Sequence, residues 1–202
     1  MDTLQICFCV LLCCFYTTYF VKMLTLKRQH IHGDILGKGD KPRAACATEL
    51  TLKAATYSGA LLQFCSVLFP KLLHPLSAGL PQRIVGVAFG AVGCLFLILS
   101  VAVMKMNWRA GFQANQNTTL VTSGIYRISR NPAFVGFDLL YISCALAFPN
   151  AAIIAATMLI VCLFHIQILG EEGHLLTTFG ADYAQYKARV GRYFGRKNIF
   201  CP

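Results

Sequence analysis

Charge is what this chain has least of. Of its 202 residues, 13% are charged, against about 25% in an ordinary soluble domain. Acidic residues are the scarcer sign, eight Asp and Glu against 18 Lys and Arg, for a net charge of +10. The ten cysteines include no C-x-x-C pair, and no Cys/His set has zinc-ligand spacing, so no metal site is expected. Most of them sit in apolar stretches and read as small buried hydrophobes rather than a disulfide framework. No G-x-G-x-x-G follows a strand pattern, which argues against a Rossmann nucleotide domain. Residues 33–39 lack the G-x-x-x-x-G-K-[ST] spacing of a phosphate loop. The N-terminal flank has Asp2 and no Lys or Arg, and no small-residue cleavage site follows the first apolar run. That run therefore reads as a retained helix and not as a secretory signal. The bases lie between apolar runs and form no basic face interleaved with aromatics, so nucleic acid is not expected as a partner.

What the chain has in quantity is apolar length. Hydrophobic residues make up 56% of it, in runs at 4–24, 54–69, 84–104, 133–148 and 151–169. About 20 apolar residues span the roughly 30 Å hydrocarbon core, and the shorter runs cross with snorkelling flanks. The expected fold is all-α: one integral membrane bundle of about five transmembrane helices, with a C-terminal helix on the cytoplasmic side. Residues 1–104 supply three spans. Residues 105–202 supply a loop, a helical hairpin turned by Pro149-Asn150, and the terminal helix. Gly86, Gly90 and Gly93 favour close helix packing in the third span. Residues 25–53 read as a flexible, Gly- and Lys-rich connector.

Lys and Arg set the orientation. Segment 25–53 carries six, 105–131 four, the tail five, and Lys22 closes the first span. Only Lys71 and Arg83 fall on the other side. This predicts an integral, multi-pass protein of the bacterial inner-membrane type, with the N-terminus outside and the C-terminus cytoplasmic.

Chemistry concentrates around residues 120–136, LVTSGIYRISRNPAFVG. Pro132 is pre-set for a first helical turn, and Arg127 and Arg130 stand just before it. Positions equidistant from the hairpin turn share a height, so this segment comes level with Glu171 and Glu172. Glu holds an ammonium and Arg a carboxylate; together they suit an amino-acid zwitterion, while a plain salt bridge needs only one pair. Asp138 is the acid well inside a span, and such carboxylates are functional suspects. His165 lies within about one turn of it across the hairpin. Asp138 and His165 are thus the catalytic candidates, as a proton relay or as a hydrogen bond locking the hairpin. Tyr183, Tyr186, Arg189 and Arg192 form an aromatic and basic face that either packs over the site or lies on the anionic leaflet.

WRAGF, LVTSGIYRISRNPAFVGF, EEGHLL and FGADYAQYKARVGRYF, in this order and spacing, resemble the isoprenylcysteine carboxyl methyltransferase and phospholipid methyltransferase superfamily, especially its small prokaryotic members. The resemblance covers about residues 106–194. It implies a membrane methyltransferase that binds S-adenosylmethionine at the cytoplasmic face. The acceptor would be lipophilic or small: an isoprenylcysteine-type carboxylate, a thiol or a phospholipid amine. The implied cofactor residues are Tyr126, Arg130, Asn131, Pro132, Phe134, Gly136, Glu171 and Glu172. Asn131 stands where relatives often have His, and Phe134 where they often have Tyr. Asn donates and accepts but is no base. Two alternatives stay open: an NADPH-dependent membrane sterol or enone reductase, and a non-enzymatic protein that keeps the fold. The ending Phe200-Cys201-Pro202 is no prenylation signal.

Overall fold

The helices of this chain are apolar around most of their circumference, as expected for elements that face lipid on one side and one another on the other. The computed structural model describes residues 1–31, 33–38, 41–108, 111 and 119–195. They form α1 (Thr3–Arg28), α2 (Arg43–Leu68), α3 (Leu80–Met104), α4 (Pro132–Ala147) and α5 (Ala151–Arg189), with no strand among the described residues. By length and composition α1, α3 and α5 are able to cross a membrane. The 16 residues of α4 reach about 24 Å at 1.5 Å per residue. α2 is long but more polar in its first turns, with Arg43, Glu49 and Lys53.

The all-α expectation holds, with two corrections. α5 consists of two helical stretches that meet in a kink at Gly180, whose φ of 51° and ψ of −120° are non-helical and suit a residue without a Cβ, so a C-terminal helix follows the hairpin as expected. The first stretch, up to residue 179, reaches about 43 Å at 1.5 Å per residue, longer than the roughly 30 Å hydrocarbon core, so its polar last turns extend past the apolar layer. Segment 25–53 is not a loose connector. The flanking helices absorb both of its ends, and the described part of 29–42 folds back onto α2: Gly37 N–H donates to Glu49 Oε2 at 2.6 Å, and Asp34 pairs with Lys53. Among the described cysteines only Cys94 and Cys144 are buried; Cys7, Cys13, Cys14 and Cys162 are exposed on helix faces, and none of the described cysteines is in a disulfide.

α3 and α4 pack backbone to backbone. A Cβ added at Gly93 would lie 2.8 Å from Gly136 O, and one at Gly136 would lie 2.9 Å from Gly93 O. The glycine-driven contact expected of the third span is present, and Gly136 is its partner. The α4–α5 hairpin is fixed by Asn150, whose Oδ1 accepts from Ile153 N–H at 2.9 Å while its Nδ2 donates to Ser66 Oγ at 3.0 Å. Phe8, Phe15, Leu97, Leu140 and Phe148 fill the core between α1, α3 and α4. At the hairpin end, Arg83 donates twice to Asp2, at 2.9 and 3.1 Å, and this pairing holds the Asp2 carboxyl below its usual range.

Candidate functional site

Two polar assemblies sit side by side where α4 begins and α5 leaves the apolar layer. The first is a clasp centred on Glu172, which is 3% exposed. Arg130 donates to Glu172 Oε1 from Nε at 3.1 Å and from Nη2 at 2.7 Å. Asn131 Nδ2 donates to the same oxygen at 3.1 Å. Arg192 donates to Oε2 from Nε at 3.2 Å and Nη2 at 3.0 Å. The remaining guanidinium nitrogen of Arg130 caps the end of α5 through the carbonyls of Lys187 and Val190, at 3.1 and 2.7 Å. Burial alone would raise the Glu172 pKa; the hydrogen bonds from Arg192 and Arg130 outweigh it and hold the carboxyl below its usual range. Arg192 is raised in turn, chiefly by Glu172. Every lone-pair direction of Glu172 is engaged, so the clasp ties α4, α5 and the segment after α5 into one unit.

The second assembly is the polar mouth of a cavity of about 320 Å³ between α1, α2, α4 and α5. Glu171, one residue from Glu172, lines this mouth instead of the clasp, because successive helical residues point about 100° apart. Its Oε1 accepts from Gln167 Nε2 at 3.1 Å, and the Gly111 N–H also points to it. Gln167 Nε2 reaches Glu49 Oε1 as well, at 3.3 Å. Glu49 is fully buried and paired with Lys41 at 2.7 Å. Among the described residues no cation pairs with Glu171. Enclosure pushes its carboxyl up to about 7. Below the mouth the walls are aromatic: Tyr19, Tyr57, Trp108, Phe134, Phe137 and Phe164.

The expected site residues therefore divide. Phe134 and Glu171 line the cavity. Arg130, Asn131 and Glu172 meet at the predicted height but in the clasp. Pro132 is the buried first residue of α4, and Gly136 is a helix-packing position. Tyr126 lies behind the clasp, its hydroxyl 2.7 Å from Ser100 Oγ and its carbonyl accepting from Tyr186. Arg127 is exposed; the second arginine on Glu172 is Arg192. Tyr183 and Tyr186 are buried beside it, so these two and Arg192 pack on the protein, while Arg189 is exposed. The expected Asp138–His165 hydrogen bond is absent: His165 Nδ1 lies 2.6 Å from Tyr193 Oη instead, and Asp138 Oδ1 is buried without a hydrogen-bond partner. Neither lines the cavity. Of the WRAGF motif, Arg109, Ala110 and Phe112 lie outside the described residues, as does the ending after residue 195.

Sequence reasoning missed Asp34, Lys41, Glu49, Lys53 and Gln167. One signal was available: Glu49 is the only acid between Asp40 and Asp138 in a chain with eight in all, and it stands in the polar first turns of α2.

Fold and site together define a helical membrane bundle whose polar rim opens into an aromatic cavity. The chain belongs to the phospholipid methyltransferase family, whose model matches residues 81–182, about half its length. It is also similar to the protein-S-isoprenylcysteine O-methyltransferase of Schizosaccharomyces pombe. The two are 34% identical over 77 residues, which are 38% of this chain and 33% of that protein. The matched segment thus spans about a third of that relative. The matched family region contains α3, the hairpin and the Glu171-Glu172 pair; α1, α2 and the 29–42 segment lie outside it.

Proposed function

We propose that this protein is an integral membrane methyltransferase that moves a methyl group from S-adenosylmethionine to a lipophilic or small acceptor. The observation that carries this reading is Glu171: an enclosed carboxylate, in no ion pair with any described residue, at the mouth of an aromatic cavity. Such a carboxylate calls for a positive ligand, and aromatic faces favour one. S-adenosylmethionine supplies its methyl from a sulfonium and carries an ammonium, so its charges fit this rim. In this reading Glu171 and Phe134 contact the cofactor, with Gln167 orienting the carboxylate. Arg130, Asn131, Pro132 and Glu172 frame the site by fixing α4 against α5, and Tyr126 and Gly136 set the positions of the flanking segments. The protein's main tasks are to align donor and acceptor in line and to exclude water. The basic rim faces the cytoplasm by the distribution of Lys and Arg, which places the N-terminus outside and the C-terminus inside.

The acceptors open to this site are an isoprenylcysteine-type carboxylate, a thiol or a phospholipid amine. An NADPH-dependent reductase fits the rim less well, since Asp34, Glu49 and Glu171 set carboxylates where phosphates would go. The test is calorimetry of S-adenosylhomocysteine with the purified protein in detergent. Binding that weakens in Glu171→Gln is expected. No binding, or stabilisation by NADPH and not by S-adenosylhomocysteine in a thermal shift, overturns the reading. Incubation with labelled S-adenosylmethionine and a membrane extract then identifies the acceptor by the fraction that carries the label.

A further inference from the structure

The cavity does not end at its aromatic walls. It reaches down α2 from Lys53 to Phe64, a rise of about 17 Å at 1.5 Å per residue. At that depth stands a buried polar pair: Tyr16 Oη donates to Gln63 Oε1, and Gln63, fully buried, donates from Nε2 to Leu140 O at 3.3 Å. Beside it Tyr141 Oη donates to Thr56 O at 3.0 Å. Polar side chains are costly inside a membrane and are retained there for a use. This group joins α1, α2 and α4 and closes the bottom of the cavity, where Tyr16, Phe64 and Tyr141 are lining residues. Higher up, Phe20 and Tyr57 line the cavity and are also 63% and 59% exposed on the bundle's flank. The wall between α1 and α2 is thus one side chain thick at this level. Tyr16, Phe20, Tyr57, Gln63 and Phe64 all lie outside the matched family region and Tyr141 inside it, so the N-terminal half supplies most of this end of the cavity.

We propose that the cavity holds one apolar chain of the methyl acceptor, taken from the bilayer between Phe20 and Tyr57, and that the Tyr16–Gln63 pair is the floor that limits its length. The acceptor's polar head then lies at the rim beside Asp34, Lys53 and Glu171, next to the cofactor. The inference rests on the methyltransferase reading for the word acceptor, but the occupancy of the cavity is separable from methylation. A chain that leaves lipid for an apolar cavity gains little from the transfer itself. Discrimination then comes from fit: chains shorter than the cavity bind alike, and a chain that must displace the floor overpacks it.

The test uses Trp108, the only tryptophan, which is buried and lines the cavity. Protein in phosphatidylcholine nanodiscs is titrated with a series of ω-bromo n-alkanols of increasing length, and quenching of Trp108 is followed. Saturable quenching is expected up to a cut-off length, with binding about ten-fold weaker beyond it. Tyr16→Ala moves the cut-off to longer chains, whereas Tyr16→Phe, which keeps the ring, leaves it in place. Phe64→Leu is a second way to lower the floor should Tyr16→Ala not fold, and it too lengthens the cut-off. Non-saturable quenching, or a cut-off unmoved in folded Tyr16→Ala or Phe64→Leu, overturns the proposal. If S-adenosylhomocysteine displaces the alkanols competitively, the cavity is the cofactor's and the proposal fails while the methyltransferase reading stands. If S-adenosylhomocysteine does not bind in calorimetry but the cut-off is found, the chain site stands and the methyltransferase reading falls.

Discussion

Glu171 and Glu172 are neighbours in sequence and opposites in environment. Glu172 receives five hydrogen bonds from Arg130, Asn131 and Arg192. Glu171 receives one from a side-chain amide and one from a backbone N–H. A carboxylate whose acceptor capacity is filled by its own protein has nothing left for a ligand and acts in the fold. A carboxylate left short of donors in an enclosed place is costly unless a ligand completes it. The pair thus separates a contact of the fold from the proposed ligand contact within one turn of helix.

The largest effect expected from breaking this comparison is on the clasp. Glu172→Gln leaves the buried Arg130 guanidinium without its counter-charge, at a cost of about 3–5 kcal/mol. Thermal unfolding in detergent should show a large drop in midpoint, with any loss of S-adenosylhomocysteine binding tracking the loss of folded protein. A variant that melts like wild type but no longer binds would move Glu172 from the clasp to the ligand site.

Glu171→Gln should do the reverse. Removing a charge-assisted bond to a cationic ligand costs about 1.5–3 kcal/mol, or roughly 10- to 150-fold in affinity. The melting midpoint should hold or rise, because the amide is cheaper than an enclosed carboxylate. A fall in stability equal to that of Glu172→Gln, with unchanged affinity, would erase the distinction between the two residues.

The meeting of Arg130 with Glu172 was legible in the sequence, because a short hairpin turn at Pro149-Asn150 fixes which positions share a height. Which glutamate faces which neighbour was not. That depends on the rotation of α5 about its axis, and one residue changes it by about 100°. The Asp138–His165 pairing failed for a related reason: equal height does not exclude a third partner, and Tyr193, 28 residues on from His165, takes its ring nitrogen. The rim residues Asp34, Lys41 and Glu49 were hidden because a Gly- and Lys-rich segment has the composition of a loose linker. Its contacts with α2 arise only once the bundle forms. Gly136 was read as a cofactor residue from resemblance, yet its lack of a side chain is used against Gly93.

The two glutamates should also titrate in opposite senses. The folded Glu172 pKa lies below its ordinary value of 4.5. Its contribution to stability is therefore complete above pH 4.5 and is lost as pH falls through the lower folded value. Glu171, pushed up to about 7, binds a cation only when ionised. S-adenosylhomocysteine affinity should rise with pH up to about 7 and level off above it, and Glu171→Gln should flatten that rise. Calorimetry across pH 5.5–8.5 checks this, and a wild-type profile shared by Glu171→Gln would place the titrating group elsewhere.

The smallest effect concerns Asn131, the position at which relatives often carry His. Its amide nitrogen donates to Glu172 Oε1 at 3.1 Å and to Arg192 O at 3.3 Å. An imidazole N–H can replace one of these bonds but not both from a single atom. Asn131→His should therefore cost about 0.5–1.5 kcal/mol, one net hydrogen bond, seen as a modest drop in melting midpoint. Because Asn131 faces the clasp and not the cavity, S-adenosylhomocysteine affinity should stay within about two-fold of wild type, well under the ten-fold that 1.4 kcal/mol represents. A marked gain in affinity on introducing the imidazole would show that the position reaches the ligand, and the clasp would then be part of the site it frames.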